Sequence, residues 1–145
     1  MFMIQAQVGS ESWENTSLKE MKNLLLKEGQ SFKAAAKGVY FFFKQERHAL
    51  IHLVAAIFAL FLSWCLSISI LEWTVIIFCI ILVLVAEILN TCIEQICDLV
   101  TKERNIHIAR IKDMAAGGVL LVALASLAIA CLIFLPKILA SVSGQ

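Results

Sequence analysis

Glu87, Asn90, Glu94 and Asp98 follow one another at intervals of three, four and four residues, a spacing that gathers side chains on one side of an α-helix. Steps of about 100° per residue put Glu87 at 0°, Glu94 at about −20°, Asp98 at about +20° and Asn90 at about −60°. Carboxylates so arranged can accept a proton or hold a hard cation such as Mg²⁺, and an amide among them can orient either group. Lys112 and Asp113 come next in the chain, adding a cation able to meet anionic charge and one more carboxylate.

The elements that must carry these groups are membrane helices. With 61% hydrophobic residues in 145 and a mean hydropathy of +0.88, the composition excludes an ordinary soluble domain. Two runs free of Asp, Glu, Lys and Arg, Ala49 to Leu71 and Met114 to Pro136, are long enough to cross the hydrocarbon layer. Between Trp73 and Glu87 only 13 uncharged residues intervene. At about 1.5 Å per residue they make about 20 Å of helix against a core of roughly 30 Å, so this span must continue through its own polar residues. The expected fold is an all-α membrane protein with spans at about 49–71, 73–100 and 113–136, together forming a membrane domain over 48–145.

Cationic residues near span ends mark the cytoplasmic side. Seven of the twelve lie between Lys19 and Arg47, and Lys102, Arg104, Arg110 and Lys112 follow the second span. Both segments are therefore expected in the cytoplasm. The connection near Ser69 to Trp73 carries no cation and is expected outside, with the N terminus inside and the C terminus outside; Lys137 is the dissenter.

No secretory signal is expected, because the first long apolar run begins only after Arg47. Residues 1–16 read as a mobile tail. Ser17 and Glu20 fit a capping box that opens an amphipathic interfacial helix over 17–47. Leu18, Met21, Leu24, Leu25, Phe32, Ala35, Val39, Phe42 and Phe43 fall on one face of it, with Lys19, Lys22, Lys33, Lys37 and Lys44 to one side, as on a helix lying at the acyl boundary among anionic head groups. Gly29-Gln30-Ser31 is a candidate break. Glu46 falls within the apolar face, either because the helix ends there or because the residue has other work.

The five cysteines, all in expected membrane helices and without a Cys-x-x-Cys pair, read as small apolar residues rather than disulfide or metal ligands. His48 and His52 are four apart, a metal-ligand spacing, but His107 is the only other histidine, so an interfacial or packing role is the simpler reading. The small residues of AAGGVLLVALASLAIA, 115–130, suggest close helix packing.

A charged group near the bilayer centre costs roughly 2.5–3.5 kcal/mol on insertion scales, so the acidic face needs protein or cations around it. Counted from Trp73, Glu87 lies about 21 Å and Glu94 about 31 Å along the helix, which opens the cluster toward the cytoplasm. Three spans leave little room to shield it within one chain. A cation or proton path is the rival functional class, and helix locking through Lys112 and Arg110 is the structural alternative.

In this context the residues become familiar. Glu87, Asn90, Thr91, Glu94 and Asp98, followed by Lys112-Asp113, match Glu-x-x-Asn-(Thr/Ser)-x-x-Glu-x-x-x-Asp with Lys-Asp. The pattern resembles the bacterial diacylglycerol kinase and undecaprenol kinase family of small integral membrane lipid kinases. The likeness runs from about Ser31 to Leu135 and includes SFKAAAKG and KQERHALIH.

The resemblance implies an ATP-dependent kinase acting on a lipid alcohol. Glu87 would be the general base, with Asn90 orienting the site; Glu46 and Glu94 would bind the Mg²⁺ of Mg-ATP, Lys112 the phosphates and Asp113 the nucleotide. No Gly-x-x-x-x-Gly-Lys-(Ser/Thr) loop occurs among the six glycines, so any such activity rests on helix-borne carboxylates. Glu46-Arg47-His48 and Ile51-His52 lean toward undecaprenol over diacylglycerol, and Asn105 stands where the family commonly has His. The resemblance further implies a homotrimer with shared sites in the bacterial cytoplasmic membrane; no nucleic-acid partner is expected.

Overall fold

The computed structural model describes residues 2–143, with side chains described for 20–44 and 46–143. The order is α1 (Phe2–Gln45), α2 (Arg47–Cys65), α3 (Ile70–Val100) and α4 (Ile106–Val142). The expected all-helical class with three spans after an N-terminal helix holds. Among the described residues α2, α3 and α4 are long and apolar enough to cross a membrane, where helices satisfy every backbone polar group internally.

The chain divides into two units, Met1–Phe41 and Phe42–Gln145. In the first, the backbone is helical through Ser17 and through Gly29-Gln30-Ser31. The helix therefore neither starts at Ser17 nor breaks at Gly29. The Ser17 side chain of the expected capping box and the side chains of the expected 1–16 tail lie outside the described residues. Met21, Leu24, Leu25, Phe32 and Val39 are exposed, leaving the apolar stripe uncovered by this unit's own residues.

In the second unit, α3 packs most extensively against α4 and less against α2, while α2 and α4 barely touch. A core of Ile68, Ile76 and Phe134, with Leu62, Trp73 and Ala130 packed around it, closes the end where α2 turns into α3.

Helix ends differ from the expected spans at two places. α2 stops at Cys65, and Ile70 and Leu71 already belong to α3. Ser69 and Glu72 form the capping box there: Glu72 N–H donates to Ser69 Oγ at 3.3 Å and Ser69 N–H to the Glu72 carboxylate at 2.6 Å. The turn thus occupies 66–69, with Ser67 at a positive φ of 46°. Helix α4 runs past Pro136 to Val142, since a proline removes one backbone hydrogen bond without obliging a membrane helix to end. Lys137 Nζ lies 3.2 Å from Glu72 Oε2, so the cation that dissented from the charge asymmetry has a local partner at the α3 start.

The close packing expected of AAGGVLLVALASLAIA is not found at its glycines. A side chain added at Gly117 or Gly118 would meet nothing of this chain within 4 Å.

Candidate active site

Glu87 is built into the site by α3, four turns and more from the Ser69 cap. It retains 6% exposure, and its Oε1 stands 3.8 Å from Nε2 of His52 on α2. That separation is within ion-pair range and beyond hydrogen-bond length. Within one chain His52 of α2 meets this carboxylate, while the rest of the acidic face stays half-buried or exposed.

One turn on, Asn90 Nδ2 donates to Glu94 Oε1 at 3.0 Å. Both residues are half-buried. The bond fixes one carboxylate oxygen of Glu94. Asn90 Oδ1 is buried with no partner, and an unpaired buried acceptor costs about 1–3 kcal/mol. A donor arriving at that oxygen would recover this cost.

Asp98 is exposed and takes Lys112 Nζ at 2.5 Å. A short connection makes this pair possible. Thr101 caps the end of α3 and accepts the Glu103 N–H at 3.1 Å. Asn105 Oδ1 accepts the N–H groups of His107 and Ile108 at 2.9 and 3.4 Å, the standard work of an asparagine N-cap. Asn105 in place of His thus has a local structural reason. Asp113, next to Lys112, is exposed.

Glu46 occupies the joint between α1 and α2. Its backbone is extended, φ −100° and ψ 118°, and its side chain makes no capping hydrogen bond. The misfit with the apolar face is thus explained by a helix end alone. The carboxylate nevertheless remains uncommitted to the cap.

The expected face is real: along α3 it grades from buried Glu87 through half-buried Asn90 and Glu94 to exposed Asp98. From Ile70, Glu87 lies about 26 Å and Glu94 about 36 Å along the helix, so the start of α3 at Ile70 moves both nearer the far boundary than counting from Trp73 does. Lys112 joins the face at Asp98. Part of the helix-locking alternative is present too, in the Asp98–Lys112 pair that joins α3 to α4.

Among the described residues no three His, Cys, Asp or Glu side chains gather to hold a metal. Mg²⁺ is commonly held by one or two carboxylates with phosphates and water completing the shell. Glu94, with one oxygen held by Asn90, and Glu46, free of capping duty, have the donor chemistry for that.

His52 is the residue whose place here spacing did not reveal. The helical pair with His48 drew attention to it, but nothing in the sequence says that α2 aims it at α3. His52 also lines an apolar cavity of ≈ 480 Å³ between α2, α3 and α4.

Comparison with known proteins adds an independent finding. A family model described as prokaryotic diacylglycerol kinase matches residues 33–134. The chain is 36% identical over 120 residues to the undecaprenol kinase of Bacillus subtilis, covering 83% of this chain and 98% of that protein. It is 32% identical over 110 residues to a diacylglycerol kinase of Synechocystis sp., covering 75% of this chain and 63% of that protein.

Proposed function

The chain belongs to the prokaryotic diacylglycerol kinase family, and from that premise we propose that it phosphorylates undecaprenol with ATP at the cytoplasmic face of the bacterial inner membrane. It is a multi-pass membrane protein and a lipid kinase. Undecaprenol as acceptor is supported by the 36% identity spanning nearly all of a relative of that name, and by His52 beside the site.

The observation that carries the reading is Glu87. A carboxylate of 6% exposure, 3.8 Å from a histidine that lines an apolar cavity and short of one end of a membrane helix, suits a base that meets a hydroxyl whose hydrocarbon stays in the bilayer. Glu87 takes the alcohol's proton as its oxygen bonds to the γ-phosphorus, and the bond from that phosphorus to the bridging oxygen breaks to release ADP. Phosphoryl transfer asks little covalent chemistry of a protein and much positioning and charge stabilisation. Asn90 orients Glu94 and offers its free Oδ1 as an acceptor. Lys112 exchanges Asp98 for phosphate oxygens, and Asp113 contacts the nucleotide.

Glu46 and Glu94 would hold Mg²⁺, which when bound neutralises phosphate charge. The cationic residues before α2 and around the α3–α4 connection support a cytoplasmic location for these ends, with the N terminus inside. The protein assembles as a homotrimer, with neighbouring chains covering the half-buried acidic residues that α2 does not reach.

Incubating purified protein with labelled Mg-ATP and equal undecaprenol and diacylglycerol tests the reading. Label predominantly in undecaprenyl phosphate is expected. Label predominantly in phosphatidic acid transfers the activity to diacylglycerol, and label in neither lipid rejects it.

A further inference from the structure

We infer that the cavity between α2, α3 and α4 is the slot for the acceptor's hydrocarbon chain, holding the isoprenoid units nearest the hydroxyl of a single-chain polyprenyl alcohol. This rests on the undecaprenol reading above and assigns the chain-binding part of the same site.

Continuity with Glu87 is the first reason. The α3 wall of the cavity includes Ile76, Ile80, Val83 and Leu84, a helical stripe of which Glu87 is the next member at three-to-four spacing. His52 belongs to the cavity lining and also faces the Glu87 carboxylate. One lining residue of the apolar space, His52, therefore stands 3.8 Å from the group that would take the hydroxyl proton. From Leu84 to Ile76 the slot follows α3 for about 12 Å.

Why the space exists is the second reason. Ala59 on α2 and Ala123, Ser126 and Ala130 on α4 are short side chains facing it, and α2 and α4 barely touch. Small residues in membrane helices ordinarily bring backbones together; here they leave a gap over α3. An unfilled gap forfeits the dispersion contacts of its lining atoms, and a hydrocarbon chain restores them. Phe58 and Leu127 on the rim are 63% and 61% exposed, so the slot opens sideways, in the direction from which a bilayer lipid arrives. A volume of ≈ 480 Å³ falls in the usual range for small-molecule sites.

The test uses the full-length protein in detergent with a polyprenol carrying a photoreactive group a few isoprene units from its hydroxyl. Peptide mapping is expected to find label on groove residues such as Ala59, Leu84 and Ala130, competed by undecaprenol. Label spread over outward faces, for example at Leu121, overturns the slot whether or not the protein phosphorylates anything.

Kinetics supply the second arm. Ala130→Phe and Ala59→Phe are expected to raise KM for long polyprenols about tenfold or more, the scale set by misfit in an apolar pocket, and to flatten the dependence on chain length. Leu121→Phe, on the 71%-exposed face of α4, is the control. A groove variant that changes oligomer size while chain-length dependence persists shows that a second copy's helix fills the space, which also overturns the proposal. Groove labelling without phosphorylation of any lipid keeps the slot and rejects the kinase reading, so the two failures are distinguishable.

Discussion

Lys112, in the second turn of α4, reaches back across the connection to Asp98, near the end of α3, with Nζ and Oδ1 2.5 Å apart. The Asp98 side chain is 65% exposed, so water and salt screen the attraction and the pair contributes little to holding the helices. A lysine held loosely at the edge of an acidic face can give up its carboxylate for a phosphate. Lys112→Met is expected to lower kcat about 10²- to 10³-fold, the loss typical of one transition-state donor, while Asp98→Asn keeps thermal stability and most activity. Steady-state kinetics and melting in detergent check both; an Asp98→Asn enzyme as impaired as Lys112→Met would show that the pair itself is required.

Glu87→Gln preserves shape and removes the proton acceptor. Turnover is expected to fall about 10²- to 10⁴-fold, the usual contribution of a positioned base, with assembly and Mg-ATP binding retained. Single-turnover transfer beside nucleotide-binding measurements checks this. Wild-type turnover in the variant would reject Glu87 as the base.

Glu46→Gln and Glu94→Gln are expected to raise the Mg²⁺ concentration needed for half-maximal activity without shifting KM for the lipid, because each replaces a charged oxygen donor by a weaker neutral one. Asn90→Leu should behave like a mild form of Glu94→Gln, since it releases the oxygen that Asn90 Nδ2 holds at 3.0 Å. Magnesium titrations at saturating lipid decide; a lipid KM that moves with unchanged magnesium dependence would assign these carboxylates to the acceptor instead.

Asn105→Ala removes the side-chain acceptor for the His107 and Ile108 amides and is expected to cost about 1 kcal/mol. Asn105→Asp or Asn105→Ser should recover most of it. Reversible unfolding in mixed micelles measures the difference. An effect on nucleotide KM with no effect on stability would point to direct contact between this residue and ATP.

Glu72 has two duties, accepting the Ser69 N–H at 2.6 Å and facing Lys137 at 3.2 Å. Glu72→Ala should therefore lower Tm more than Lys137→Ala does, and the exchange Glu72→Lys with Lys137→Glu should restore the pair but not the cap. Equal Tm losses for the two single variants would mean that the capping box adds nothing.

Much of this protein was legible before folding. Composition and run length require membrane helices, because in hydrocarbon each backbone polar group needs a partner within the helix. The spacing of Glu87, Asn90, Glu94 and Asp98 puts them on one face whatever surrounds α3. Ser69 and Glu72 also carried a readable start signal, although Ser17 and Glu20 offered the same pattern where the helix in fact continues. Periodicity describes one helix at a time, and this limits what it can say about a site built from several. The 66–69 turn and the 101–105 connection set how far each helix slides past its neighbour. That offset, a tertiary quantity, decided that His52 faces Glu87, that Lys112 finds Asp98, and that α2 and α4 stand apart over an apolar cavity that His52 helps to line.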